Sequence, residues 1–431
     1  MLKTHQNIGV ASRLKRSLAS LIKQTGFRYE HVIIPKYYLP YVFLDGIAEK
    51  APIQCDFEVT YRCNMYCDMC PQVSHREQHL HGGQIRRLAG GTYRSELSTK
   101  EIKSAISDLA EGGTKIVLFS GGEPFLRKDL CNILEHAKHL GLNVTIITNG
   151  SLITPSIAEH LVRIGVDAIT FSLDGPKDLH NKIRNLANGF DSLGNSIRLL
   201  QSEKARQETE RPYLSISSVI QQQNQGQLAE IVDTAQQLGV KNLNLNFPFY
   251  TTPELELATW EKLKPRFRQG AKPEEQSNLN GHRNLVPEAV LSQLADSRKR
   301  AALHGISINT SPQLEDREIP EYIEDPTFSV VHKCFYSWKT MRVNAWGDVY
   351  PCSIDVHLGN IREQGILDLW NGEPYREFRR TVKKNKLFSQ CAKCCVLTNR
   401  IWNRLPVITL GRGVLRPLRL TKIKEIFRRV C

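Results

Sequence analysis

The chain has 431 residues, 41% apolar and 24% charged, enough for two or three domains with a substantial core. It contains no run of 18 apolar residues, which argues against a transmembrane helix. Its start, Met1-Leu-Lys-Thr-His-Gln, lacks the apolar stretch and cleavage pattern of a secretory signal, so the expected location is cytoplasmic. Of the formal charge of +14, residues 1–30 carry +5 and residues 400–431 carry +8, leaving a nearly neutral body. A nucleic-acid enzyme more often carries its basic patch in the catalytic body, so no nucleic-acid partner is expected. Basic ends interleaved with apolar residues fit a docked surface helix, an anionic membrane face or an acidic partner.

In chain order, Ile8, Leu14, Leu18, Leu21 and Ile22 recur at helical intervals among basic residues, predicting a helix over 8–26. His31 to Ala48, with Pro35 and Pro40, reads as an irregular lead-in. Phe57-Glu58-Val59-Thr60 predicts a short strand running into Cys63-Asn-Met-Tyr-Cys67-Asp-Met-Cys70. After a polar stretch, Ser98 and Glu101 form a capping box that starts a helix ending at Gly112-Gly113. Strands and helices then alternate. Strands are predicted at Ile116–Phe119, Val144–Ile147, Ala168–Leu173, Leu214–Ile220 and Asn242–Phe247, with helices at 130–140, 155–164, 189–203 and 226–238.

Six strands of continuous apolar character separated by helices predict an α/β fold: a partial, TIM-like (β/α)6 barrel, open on one side. The loops rich in glycine or polar residues all follow strands, the face where such barrels build chemistry. Residues 251–330 turn polar and Pro-rich, with one helix near 287–303, and read as a connector. A second cysteine set follows at Cys334, Cys352, Cys391, Cys394 and Cys395, with a hairpin turning at Gly347 and a short helix holding Leu367 and Trp370.

Cys63, Cys67 and Cys70 stand at C-x3-C-x2-C spacing. Short spacings in a chain without a secretory signal point to metal ligation rather than disulfides. Three thiolates are one short of a closed zinc or cluster site, so on a [4Fe–4S] cube they leave one iron open. The amine and carboxylate of an amino acid would chelate that iron. A structural zinc site completed by His75 or His79 is the alternative, although His75, His79 and His81 read as solvated. Cys55 before the first strand, Cys131 in a helix and the terminal Cys431 read as buried or idle thiols.

The three-cysteine loop, with Tyr66 before its second cysteine, and the strand end Gly121-Gly122-Glu123-Pro124 together resemble the radical S-adenosylmethionine superfamily over roughly residues 51–250. The resemblance implies a [4Fe–4S] cluster on Cys63, Cys67 and Cys70, with Gly121, Gly122 and Glu123 holding the amino group of S-adenosylmethionine. It further implies ribose contacts from Ser172 and Asp174, the cofactor carboxylate at Arg184, and the adenine near Val219 and Ile220. The second set resembles the SPASM module in its shortened Twitch form: Cys334-x12-Gly347-x4-Cys352 and Cys391-x2-Cys394. One auxiliary [4Fe–4S] cluster is implied, because Arg400 stands where the longer pattern continues with cysteine. Zinc is again the alternative, and Cys395 competes with Cys394 as fourth ligand.

The expected organisation is a basic lead over 1–50, a radical core over 51–310, the auxiliary module over 311–399 and a basic tail over 400–431. The implied activity is an oxidoreductase that cleaves S-adenosylmethionine reductively and abstracts a substrate hydrogen through the 5′-deoxyadenosyl radical. The auxiliary cluster accepts an electron or holds substrate, which is a small molecule or a peptide, and a flavodoxin or ferredoxin supplies reductant. Redox-neutral epimerisation or carbon–carbon bond formation is one alternative. A non-catalytic iron–sulfur electron-transfer protein is another. No acid or base stands out.

Overall fold

The computed structural model describes residues 40–41, 44–67, 69–70, 85–87, 93–267, 284–354 and 356–396. The predicted helix over 8–26, His75, His79, His81, Arg400, Cys431 and the basic tail lie outside the described residues.

The six predicted strands form in order: β1 (Gln54–Thr60), β4 (Ile116–Gly121), β5 (Asn143–Thr148), β6 (Ala168–Ser172), β7 (Tyr213–Val219) and β8 (Asn242–Asn246). Between the first two, β2 (Ile85–Arg87) and β3 (Tyr93–Ser95) make a separate antiparallel ribbon. Two further strands extend the parallel sheet. β9 (Ser307–Ser311) pairs with β8, inside the stretch expected to be a connector. β10 (Thr340–Val343) pairs with β1 on the other side, and β11 (Val349–Tyr350) closes an antiparallel hairpin on β10. The sheet order is β11-β10-β1-β4-β5-β6-β7-β8-β9. The cysteine-rich C-terminal segment is therefore continuous with the barrel sheet through the pairing of Gln54 with Thr340 and Asp56 with Arg342.

Local signals set the helices. Ser98 caps Thr99–Gly112 with Glu101 reciprocating, and Gly113, at φ 103°, ends that helix in the left-handed conformation open to glycine. Pro155 and Pro287 occupy first-turn positions of Pro155–Arg163 and Pro287–His304, where a missing N–H costs nothing. The helix Lys177–Arg184 was not anticipated, being short and strongly polar, and it carries Arg184 on its last turn. The helices Pro253–Lys262 and Ile319–Glu324 likewise occupy the supposed connector. Cys55 lies within β1, not before it, and is fully buried.

The strands alternate more than the apolar reading suggested. Val117, Phe119, Val144, Ile146, Ile169, Phe171, Ile216, Leu243 and Leu245 are buried on the helix-covered face. Each such side chain contributes about 1.5–3 kcal/mol. The residues between them, including Thr145, Thr170, Ser172, Ser215, Ser217, Asn244 and Asn246, are only half-buried. They bond laterally: Thr170 Oγ1 to Ser215 Oγ at 2.9 Å, and Asn246 Nδ2 to Ser217 Oγ at 2.7 Å. Helices cover one face, so the other is free to be polar.

Candidate active site and auxiliary cysteine site

The first cysteine loop is fixed by the ends of its neighbouring strands. The N–H groups of Gly122 and Glu123 donate to the carbonyls of Thr60 and Arg62, both at 2.7 Å. This backbone contact explains the paired glycines. A Cβ on Gly121 would stand 2.2 Å from Thr60 O, and one on Gly122 2.1 Å from Arg62 O. The Glu96 carboxylate accepts from the Thr60 hydroxyl at 2.8 Å and the Tyr61 N–H at 3.1 Å. Asn149 Nδ2 donates to Asn64 Oδ1 at 2.9 Å, and Asn64 Nδ2 donates to Ser151 Oγ at 2.8 Å. Within the loop, Met65 N–H reaches Cys63 Sγ at 3.4 Å and Cys70 N–H reaches Cys67 O at 3.1 Å. Tyr66 is exposed, with its N–H on the Arg184 carbonyl at 3.4 Å.

The strand-end motifs converge on this loop, each with a definite task. Glu123 is fully buried and accepts from Thr148 Oγ1 at 2.7 Å, Asn149 N–H at 2.8 Å and Phe125 N–H at 3.1 Å. Burial pushes its carboxyl up to about 7 against those donors. It braces β4 to β5 beneath the loop. Ser172 is half-buried at the end of β6. Asp174 is engaged within the chain. It is fully buried, with one oxygen on Arg184 and the other accepting from Val219 N–H at 3.0 Å and Ser218 Oγ at 3.4 Å.

Burial pushes the Cys63 thiol up to about 11 and raises Cys67, whose neighbour Arg184 opposes the rise. The free thiols are thus neutral at pH 7, and ligation releases protons. Among the described residues no group of three His, Cys, Asp or Glu stands ready for a single metal ion. The donor set fits an iron–sulfur cluster, which takes one thiolate per iron: three thiols on one loop, walled by polar strand ends and faced by a guanidinium.

The auxiliary set is assembled across the C-terminal segment. Cys334 N–H donates to Lys386 O at 2.9 Å, and the Cys334 sulfur accepts from Tyr336 N–H at 3.4 Å. The Cys352 sulfur accepts from Ile354 N–H at 3.4 Å, and its carbonyl accepts from Arg342 Nη1 at 3.0 Å. Cys391 lies in the turn Ser389–Lys393, and Cys394 N–H closes on its carbonyl at 3.1 Å. Burial raises Cys391 far above the usual thiol value, and Cys352, Cys334 and Cys394 add to the rise. Burial also raises Cys394, with Cys395 its leading charged neighbour and Cys334 and Cys352 behind it, and raises Cys395 against the pull of Arg342. Cys334, Cys391 and Cys394 thus share one packed cluster, and Cys352 lies near enough to act on Cys391.

Several residues around these sites escaped sequence reasoning. Asp56 on β1 accepts from Gln54 Nε2 at 2.7 Å and from the Tyr336 hydroxyl at 3.4 Å, and burial pushes it up to about 6. Glu58 accepts from Arg342 and from the Tyr61 hydroxyl. The alternation of Gln54, Asp56 and Glu58 was the available signal. Lys393 is fully buried between two cysteines, its ammonium donating to the carbonyls of Tyr322 and Phe328 and lying 4.0 Å from the Tyr322 ring centroid.

Among the described residues no helix is long and apolar enough to cross a membrane. Residues 57–235 match the radical SAM superfamily, and residues 334–395 match SPASM, an iron–sulfur cluster-binding domain. The chain is 26% identical over 353 residues to the AdoMet-dependent heme synthase of Methanosarcina barkeri, covering 80% of this chain and 89% of that one. It is 23% identical to the PqqA peptide cyclase of Xanthomonas campestris, covering 79% and 80%. The crystal structure of Streptococcus suis SuiB bound to S-adenosylmethionine shares the fold at a TM-score of 0.54 and 14% identity, over 85% of this chain and 78% of that one. The chain carries a radical SAM domain over residues 57–235 and a C-terminal SPASM domain over residues 334–395, which together imply [4Fe–4S] clusters and S-adenosylmethionine as cofactors.

Proposed function

We propose that the protein oxidises its substrate, a small molecule or a peptide, in two one-electron steps divided between its two cysteine sites. When bound, the reduced cluster and S-adenosylmethionine supply a 5′-deoxyadenosyl radical that takes a hydrogen from substrate. Cys63, Cys67 and Cys70 hold the first cluster. Gly121 and Gly122, pressed against the loop's backbone, place their strand end beside it for the cofactor's amine, and Ser172 serves the ribose. Cys334, Cys352, Cys391 and Cys394 hold the auxiliary cluster.

What supports the oxidative reading is the packing of Cys334, Cys391 and Cys394 in one cluster with Cys352 near enough to act on Cys391, read as a four-thiol auxiliary set. Four thiolates satisfy four irons and leave no vacant position for substrate, so this cluster suits receipt of an electron. The relatives' names divide between a heme synthase and a peptide cyclase, which supports either substrate class.

The test is anaerobic reconstitution with reductant and S-adenosylmethionine. The triple replacement of Cys63, Cys67 and Cys70 by Ala abolishes 5′-deoxyadenosine. Replacing Cys334 and Cys352 leaves cleavage measurable and stops product formation. Product with two fewer hydrogens supports oxidation. Product of unchanged mass indicates redox-neutral chemistry. Wild-type protein that makes no 5′-deoxyadenosine is an electron carrier, not this enzyme.

A further inference from the structure

The guanidinium of Arg184 is held on two sides. Nε donates to Asp174 Oδ2 at 2.7 Å, and Nη2 meets the same oxygen at 2.6 Å. Nη1 points the other way and donates to Cys67 Sγ at 3.7 Å. The carboxylate cannot turn from this grip, because its other oxygen takes Val219 N–H and Ser218 Oγ. Its backbone is fixed as well: Asp174 N–H donates to His180 Nδ1 at 3.3 Å, and Asn224 Nδ2 donates to Asp174 O at 3.0 Å. The Arg184 side chain is only 12% exposed and Asp174 is fully enclosed. A rigid acid thus aims one N–H edge of a buried cation at a cysteine sulfur.

We propose that Arg184 is a positioning residue for the cysteine loop that sets the charge environment of Cys67, and that Asp174 holds it there and offsets part of its charge. The proposal rests on reading Cys67 as a cluster ligand. It gives Arg184 a task other than gripping the cofactor's carboxylate, and Asp174 a task other than touching its ribose. A charged donor on a thiolate favours the more negative, reduced state of the group that sulfur ligates, and a buried carboxylate nearby disfavours it. The two residues should therefore move the first cluster's potential in opposite directions. Loss of packing alone does not produce opposite signs.

The experiment is a redox titration of the first cluster, followed by electron paramagnetic resonance, in reconstituted full-length wild type, Arg184→Met, Arg184→Lys and Asp174→Asn. Iron content and S-adenosylmethionine binding are measured on the same samples. The expected result is a midpoint potential lowered in Arg184→Met, near wild type in Arg184→Lys and raised in Asp174→Asn. An unchanged potential in Arg184→Met, with S-adenosylmethionine affinity reduced tenfold or more, overturns it and returns Arg184 to the cofactor carboxylate. Should Arg184→Met lose the first-cluster irons, Asp174→Asn decides: a raised potential supports the proposal and an unchanged one overturns it. Loss of those irons in both overturns it, since the pair would then be a structural strut. A wild-type protein that builds no first cluster instead sinks the reading of Cys67 on which the proposal rests.

Discussion

The two cysteine regions solve the same chemical problem with different mechanics. The first places three cysteines within eight residues, and backbone contact with the end of β4 plus a side-chain bond from Asn149, just past β5, sets its shape. The second draws four cysteines from a hairpin, a loop and a late turn, and relies on packed side chains to meet. Its cores are Trp370 and Tyr375, with Arg379 lying 4.1 Å and 4.2 Å from their ring centroids, and Lys393 against Tyr322. One site depends on the absence of side chains at two glycines. The other depends on buried cations. This difference means that separate substitutions should disable them separately.

The largest effect should come from Gly122→Ala. Its Cβ would overlap Arg62 O, so the strand end and the loop must separate. Iron analysis should fall from about eight to about four per chain, with the auxiliary signal retained. Loss of both clusters together would break the comparison. Next, Cys394→Ala should remove about four irons while Cys395→Ala removes none, because Cys394 packs with Cys334 and Cys391 in one cluster. Equal loss in the two variants would return the fourth ligand to ambiguity.

Arg379→Met comes third. Arg379 is fully buried, with Nε on Ser337 O at 2.8 Å and Nη1 on Asn371 Oδ1 at 3.1 Å. Replacing it takes the arginine donor from the buried Ser337 carbonyl, while Asn371 Oδ1 keeps the Ala48 N–H, and should cost about 3 kcal/mol in denaturant unfolding. The first cluster's irons should survive.

The smallest effect concerns Glu101, which ties the first helix to Arg362 of the C-terminal segment. The Arg362 guanidinium, opposed by burial, pulls its carboxyl down to about 2. A depressed acid stabilises the fold above its unfolded value and loses that contribution as pH falls through its folded value. Glu101→Gln should thus lower Tm by roughly 2 °C at pH 7. The gap from wild type should narrow between pH of about 4.5 and about 2.

The same contrast governs what the residues reveal before folding. The capping box at Ser98, the six central strands and the first cysteine loop are local patterns, and each stands where its spacing indicates. β9 was hidden because Ser307-Ile-Asn-Thr-Ser is polar, half-buried and supported by its neighbour β8 rather than by apolar content. β10 needed β1 as its partner across nearly the whole chain. Asp174 stays ambiguous in one dimension, because a carboxylate at a strand end serves a ligand or an arginine equally well. Choosing between Cys394 and Cys395 needs the packing of Cys394 with Cys334 and Cys391, which spacing along the chain does not show.

The central claim is that only the first cysteine site has an iron open to S-adenosylmethionine. The direct measurement is electron–nuclear double resonance on the reduced protein with S-adenosylmethionine labelled by ¹⁵N at its amine. The account predicts nitrogen coupling to one cluster, kept in Cys394→Ala and lost in Cys67→Ala. No coupling in the wild type, or coupling that survives Cys67→Ala and vanishes in Cys394→Ala, would contradict it.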